Sequence, residues 1–164
     1  MSLTTSEREE LIRQYEAGPS VLNAALAAVP KAAMRFRPTP HDWSVHEIVL
    51  HCGDSEMMAS SRIRMVVAEP EPLIVGYDQE QWAVTFDYHT LPLEPALAAI
   101  AATRANTATL LRTLSDKAWE RAGRHTESGH YSAEDWLRIY SAHLHDHADQ
   151  IAANVTAWQG FERT

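Results

Sequence analysis

Four stretches of this 164-residue sequence repeat apolar residues at the spacing of one face of an α-helix. They cover residues 5–29, 44–68, 92–114 and 132–158, and prolines or irregular segments separate them. Helices of this length make well over half of the chain helical, where about one-third is usual. The pattern predicts an all-α fold, a four-helix bundle formed by a single domain over residues 1–164.

Polar residues mark where two of the predicted helices begin. Ser44 and Glu47 form the Ser-x-x-Glu pattern of a capping box, in which the serine oxygen and the glutamate bind free amides of the first turn. A similar Ser-x-x-Asp pattern at 132–135 precedes the fourth stretch. The Gly18-Pro19 pair falls inside the first stretch and predicts a kink or a break there, because proline removes a helix hydrogen bond.

Two segments, at residues 69–91 and 115–131, show no sustained periodic spacing of apolar residues. The first is long for a connection inside a compact domain, which favours a lid or a loop that holds a short helix. Trp82 lies in this segment and is a candidate for the aromatic wall of a substrate or cofactor pocket. The sequence as a whole predicts little or no β-strand.

Composition and charge argue against several classes of protein. The chain carries 22 acidic and 14 basic residues, a net charge of −8 without a basic block, which argues against a nucleic-acid surface. No apolar stretch approaches the roughly eighteen residues of a membrane span. Cys52 is the single cysteine, so neither an intramolecular disulfide nor a thiolate-rich zinc site is expected. The N-terminus has no apolar signal-peptide core, and the predicted compartment is the cytoplasm.

The nine histidines are the unusual feature of the composition, because imidazole is the commonest metal ligand among side chains. His143 and His147 are four residues apart, so on a helix their side chains project side by side. Both lie on the apolar stripe of the fourth helix and are expected to face the interior. Two buried imidazoles need hydrogen-bonding partners or a metal ion.

His51 lies on the inward row of the second helix and is the best third candidate. Three imidazoles on two facing helices would leave coordination positions open to water or substrate, as in catalytic zinc sites. The ion would act as a Lewis acid or lower the pKa of a bound water or thiol. The alternative is that the histidines are only polar groups of the core, since an isolated H-x-x-x-H on a helix is more often incidental.

Three further polar side chains are placed to support such a site. Glu47 and Asp54 lie about one turn before and after His51 and are candidate catalytic bases. Glu47 is alternatively only the helix cap, and Asp54 only a solvated or packing residue. Gln150 follows His147 by three residues and is positioned to orient a metal ligand, a bound water or the substrate.

Three sequence blocks occur in a recognisable order: FRP beginning at Phe36, WSVHEIVLH ending at His51, and HLHDHADQI beginning at His143. Together they resemble the DinB-like superfamily over most of the chain. That group includes DinB and YfiT-type metal-dependent hydrolases, and thiol-dependent S-transferases that use bacillithiol, mycothiol or glutathione.

The resemblance implies that His51, His143 and His147 bind one divalent ion, with zinc or nickel as usual occupants. It also implies an up-down-down-up helix order, a long connection between the second and third helices, and a homodimer, which many family members form. The bacillithiol-transferase branch often carries a further histidine beside its second late ligand. This chain has Asp146 and Ala148 there, which is a departure from that branch.

Three classes of function are compatible with these observations. The first is a metal-dependent enzyme acting on a small-molecule substrate, either a hydrolase or a transferase that uses a low-molecular-weight thiol as cosubstrate. The second is a non-catalytic metal- or small-molecule-binding bundle with a stress-related role. The third is an interaction domain in which the histidines bind no metal.

Overall fold

The computed structural model describes residues 2–163 and shows the predicted helical bundle, with helices making up 70 % of the chain. The α-helices are α1 (Thr5–Ala27), α2 (Val45–Ala68), α3 (Gln79–Thr85), α4 (Leu93–Thr113), α5 (Asp116–Trp119) and α6 (Ala133–Phe161). Short 3-10 helices lie at Lys31–Ala33 and Tyr88–Thr90, and the strands are β1 (Leu73–Ile74), β2 (Ala122–His125) and β3 (Gly129–Ser132). Within the described range no helix is long and apolar enough to cross a membrane.

The four long helices form a ring in which each contacts two others. α1 packs mainly on α6 and α2 mainly on α4, while contacts between α1 and α4 and between α2 and α6 close the ring. Trp136 of α6 is fully buried and donates its indole N–H to the Ala59 carbonyl of α2 at 2.8 Å. The second and last helices of the ring are therefore direct neighbours, although they are far apart along the chain.

Capping boxes begin α2 and α6, as the sequence predicts. The Ser44 hydroxyl accepts from the Glu47 amide, and the Glu47 carboxylate accepts from the Ser44 amide. Ser132 and Asp135 repeat this arrangement at the start of α6. Because a cap satisfies free amides of the first turn, it fixes the residue at which each helix begins.

α1 runs unbroken through Pro19, so the break that the sequence allowed for does not occur. Proline lacks an N–H, which leaves the Tyr15 carbonyl one turn earlier without its helical partner. The buried guanidinium of Arg104, from α4, donates to that carbonyl and to the Glu56 carboxylate of α2, the latter at 2.6 Å. Gly18 provides the space, because a Cβ there would lie 2.3 Å from Arg104 Nη1. The glycine-proline pair is thus the place where a side chain of α4 hydrogen-bonds to the backbone of α1.

The two segments without a period meet in a small sheet. β1 pairs in parallel with β2, with Ile74 opposite His125, and β2 pairs antiparallel with β3. The first segment holds the short helix α3, as predicted. The expectation that 115–131 is irregular was wrong, because that segment contains α5, β2 and most of β3. The expectation of little or no strand is met, because the described residues hold only these three short strands, of which β1 and β2 lie against α2.

Candidate metal centre

Three histidines from two helices converge where α2 meets α6. His51 comes from α2, and His143 and His147 come from successive turns of α6. Each offers a ring nitrogen, and these nitrogens lie within 4.8 Å of one another. The Nε2 atoms of His143 and His147 are 3.2 Å apart, and the ring centroids of His51 and His147 are 4.9 Å apart. The structure therefore brings together the three histidines that the sequence singled out.

Two neighbouring side chains orient this cluster. Gln150 Oε1 accepts a hydrogen bond from His147 Nδ1 at 2.8 Å, which leaves the lone pair of the neutral ring on Nε2, the atom that faces His143 Nε2. The indole ring of Trp43 packs against the ring of His51, with centroids 4.6 Å apart. The sequence predicts an orienting role for Gln150, and this hydrogen bond is the contact that the role requires.

Two ring nitrogens of the cluster are buried without a partner. His51 Nδ1 and His143 Nδ1 make no hydrogen bond to any residue that the structure describes. A buried polar atom left in this state costs about 1–3 kcal/mol, and a ligand that bonds it removes that cost. Three imidazole nitrogens are a donor set that suits zinc and nickel. The residues present therefore fit a divalent metal ion.

The buried surroundings keep these imidazoles neutral. Burial lowers the pKa of His51 to about 3, and the neighbouring His147 acts in the same direction. Burial also lowers the pKa of His143 well below its usual value. For His147, burial lowers the pKa although the hydrogen bond to Gln150 opposes it. Because a metal ion binds only the unprotonated ring, the cluster is in its metal-binding state at neutral pH.

A cavity of about 210 Å³ lies beside the cluster. Its walls come from α2, α6 and the segments around the β1–β2 pair, and consist of Ser55, Arg62, Tyr77, Gln79, His125, Glu127, Ile139 and Tyr140 together with His51 and His143. The Ser55 hydroxyl lies 3.5 Å from His143 Nε2. Sequence reasoning did not assign Tyr77 and His125 to the site, because both lie outside the periodic segments and reach it only through strand pairing.

The carboxylate of Glu47 is fully engaged at the start of α2. It accepts from the Ser44 amide at 2.9 Å and from the Ser44 hydroxyl at 2.8 Å, and it forms an ion pair with Arg37. The structure thus shows the helix cap that the sequence offers as one of two roles for this residue. A role as catalytic base stays a prediction and would require these bonds to break.

Asp54 and Trp82 are not among the walls of this cavity. The Asp54 carboxylate accepts a hydrogen bond from the Tyr88 hydroxyl and lines a separate groove of about 340 Å³ between α2 and α4. Trp82 contacts the rings of Tyr77 and Phe86, and Tyr77 is the aromatic residue of that group that reaches the cavity. The roles of Asp54 as a base and of Trp82 as a pocket wall stay predictions.

Known proteins share both the sequence pattern and the fold. The sequence profile of the DinB superfamily matches residues 14–151. A protein of Oceanobacillus iheyensis named "Putative metal-dependent hydrolase" is 36 % identical over 144 residues, which are 88 % of this chain and 83 % of that protein.

Two solved structures extend the comparison. The structure of YfiT from Bacillus subtilis, described as "a probable metal-dependent hydrolase with an unusual four-helix bundle topology", matches with a TM-score of 0.87 and 25 % identity, over 93 % of this chain and 88 % of that one. The mycothiol-dependent maleylpyruvate isomerase matches with a TM-score of 0.70 and 15 % identity, over 88 % of this chain and 60 % of that one, and shares the fold alone. Because the superfamily profile spans most of the sequence and the O. iheyensis relative matches over more than four-fifths of both chains, this protein belongs to the DinB superfamily.

Proposed function

We propose that this protein is a metal-dependent hydrolase with one divalent ion held by His51, His143 and His147. The observation that carries the proposal is the convergence of three neutral imidazoles, His51 buried and the other two half-buried, beside a cavity that can admit a small molecule. Zinc and nickel are the proposed occupants, because both accept imidazole nitrogen as a ligand. The names of the relatives from O. iheyensis and B. subtilis support the same class of reaction.

The chain supplies ligands, orientation and a polar cavity wall. A divalent ion bound here would provide Lewis acidity toward a small-molecule substrate. Three neutral ligands leave the charge of the ion uncompensated, which favours an anionic or strongly polar partner. The Gln150 amide holds the His147 ring in one orientation, and Ser55 places a hydroxyl 3.5 Å from His143 Nε2, where it can hydrogen-bond water or substrate.

The chain does not offer a thiolate of its own as nucleophile. Cys52, the single cysteine, is completely buried, and burial raises the pKa of its thiol far above the usual range. We therefore infer that the nucleophile is water in a hydrolase. The same observation is compatible with an external low-molecular-weight thiol as the nucleophile, which would make the protein a thiol S-transferase.

Metal binding is tested by equilibrium dialysis of protein without a histidine tag, followed by elemental analysis. The wild type is expected to hold one zinc or nickel ion per chain, and the His143→Ala, His147→Ala double variant little or none. His41→Ala is the matched control and should keep its metal, because His41 is exposed in the loop before α2. Near-stoichiometric metal in the double variant would contradict the assignment.

The reaction is tested by offering the metal-loaded protein esters, amides and lactones in water, and separately an activated aryl halide with several low-molecular-weight thiols. Hydrolysis that is lost in His51→Ala, with an unchanged far-UV circular dichroism spectrum, supports the hydrolase. Thioether formation that needs both metal and thiol supports the S-transferase. Bound metal without either reaction would favour a non-catalytic metal- or small-molecule-binding bundle. The homodimer and the cytoplasmic location stay predictions.

A further inference from the structure

The guanidinium of Arg62 lines the cavity and forms no ion pair with a carboxylate of the described residues. Its terminal nitrogens donate to the Tyr140 hydroxyl and to the Val75 carbonyl, each at 3.0 Å, and each keeps a second N–H. Its Nε is buried without a hydrogen-bond partner. Among the described residues no carboxylate oxygen lies within 4.0 Å of this guanidinium, whereas the buried Arg104 is paired with Glu56. A partly buried cation of this kind is stabilised when an anion binds beside it.

His125 contributes a neutral donor to the same cavity. Its Nδ1 accepts from the backbone amides of Glu127 at 3.2 Å and of Ser128 at 3.4 Å, so the proton of the neutral ring is on Nε2. The residue is only 8 % exposed, and its ring packs on that of Tyr131 with centroids 5.6 Å apart. No acceptor within residues 2–163 contacts this Nε2, which leaves its N–H available to a ligand.

Glu127 is the carboxylate residue of the cavity wall, and it does not neutralise Arg62. Its side chain is exposed at the turn between β2 and β3 and lies against Gly76. Solvent and salt screen an exposed charge far more than a buried one. The cavity therefore has a cationic interior and an acidic group only toward solvent.

We propose that this cavity binds the carboxylate group of a small acidic substrate, with Arg62 and the Nε2–H of His125 as donors. The inference rests on the proposed function, because the three histidines would hold the reacting end of the same molecule. Hydrogen bonds between a guanidinium and a carboxylate are about twice as strong as neutral ones, which suits them to orient a small ligand. The volume of about 210 Å³ lies below the roughly 300–1,000 Å³ of pockets for drug-sized ligands, so the substrate is small.

Butyrate and its neutral analogue butyramide are the probes for this subsite. Their binding is measured by NMR shift titration, first with metal-free protein and then with zinc-loaded protein. Wild type is expected to prefer butyrate, and Arg62→Met to lose roughly tenfold or more in butyrate affinity, as for a charged hydrogen bond. Arg64→Met is the matched control and should bind like wild type, because Arg64 lies on the same helix but is bonded to Ser60 and Asn106 outside the cavity.

A second pair of variants tests the donor on His125. His125→Gln keeps a side-chain N–H and should retain most of the butyrate affinity, whereas His125→Leu should lose it. Thermal melting identifies any variant that no longer folds, and Arg62→Gln then replaces Arg62→Met.

Several outcomes would overturn the proposal. These are equal binding of butyrate and butyramide, butyrate binding that Arg62→Met leaves unchanged, or binding that requires zinc and ignores Arg62. If the protein binds no zinc but butyrate binding still depends on Arg62, the proposed metal function fails and the carboxylate subsite is supported.

Discussion

Gly18→Ala is expected to destabilise this protein, although the same change inside a helix normally stabilises it. In an unobstructed helix interior alanine is favoured over glycine by about 1 kcal/mol. At position 18 the added Cβ would lie 2.3 Å from Arg104 Nη1 and 3.1 Å from Leu144 Cβ. The first distance is shorter than any non-bonded contact allows, so the guanidinium has to move.

The cost follows from what the displaced guanidinium is bonded to. Arg104 is 1 % exposed and donates to the Glu56 carboxylate at 2.6 Å and to the Tyr140 carbonyl at 2.9 Å. Breaking a buried ion pair costs about 3–5 kcal/mol when one partner is removed. Subtracting a helix-propensity gain of about 1 kcal/mol leaves an expected loss of about 2–4 kcal/mol in the free energy of unfolding.

Urea denaturation followed by far-UV circular dichroism in the presence of EDTA measures this loss without a contribution from bound metal. Gly160→Ala is the matched control, because Gly160 is also helical and a Cβ there would meet nothing within 4 Å. Its free energy of unfolding should stay unchanged or rise slightly. In an Arg104→Met background, Gly18→Ala should lose most of its cost. The reasoning is refuted if Gly18→Ala is as stable as Gly160→Ala.

Acid, metal and thiol reagents each probe a different part of the molecule. Burial raises the pKa of Glu47, but hydrogen bonds from Arg37 and Ser44 outweigh it and hold the pKa below its usual value of 4.5. The stabilisation that the ionised Glu47 carboxylate provides is therefore present above that pH and is lost as the pH falls. Glu47→Gln should lose less stability than wild type in acid denaturation, and an equally steep loss would contradict this. Zinc at a hundred times its Kd should raise the free energy of unfolding of wild type by about 2.7 kcal/mol, and that of the double histidine variant far less, as measured by calorimetry. The buried Cys52 should react with a disulfide reagent only after unfolding, and rapid reaction of the native protein would show that its surroundings open.

The helices and their beginnings could be predicted from the sequence, because both depend on neighbouring residues. Apolar spacing located the four long helices, and the hydroxyl groups of Ser44 and Ser132 cap amides only three residues away. His143 and His147 lie side by side in any helix, since four residues make about one turn. The relative placement of two of the three candidate ligands is thus a local property of α6.

The meeting of His51 with this pair was decided by tertiary structure. Periodicity shows which face of a helix is apolar, but it does not show which other helix covers that face. Only the packing of α2 against α6, with Trp136 bonded to the Ala59 carbonyl, brings the third imidazole within reach. The residue pattern named His51 as the best third candidate, but it did not show that α2 and α6 are neighbours.

The cavity beside the histidines depends even more on contacts between distant residues. Tyr77 and His125 reach it because β1 pairs with β2, some fifty positions away. This pairing is made by backbone hydrogen bonds, and in strands this short the side chains form no pattern from which the pairing could be predicted. Pro19 is a second example. Its local pattern predicts a kink or a break, but Arg104 of α4 donates to the Tyr15 carbonyl that proline leaves without a helical partner, and the helix continues. Local pattern determined where helices form, whereas the partners of the Tyr15 carbonyl and of the Arg104 guanidinium were decided by residues that meet only in the folded chain.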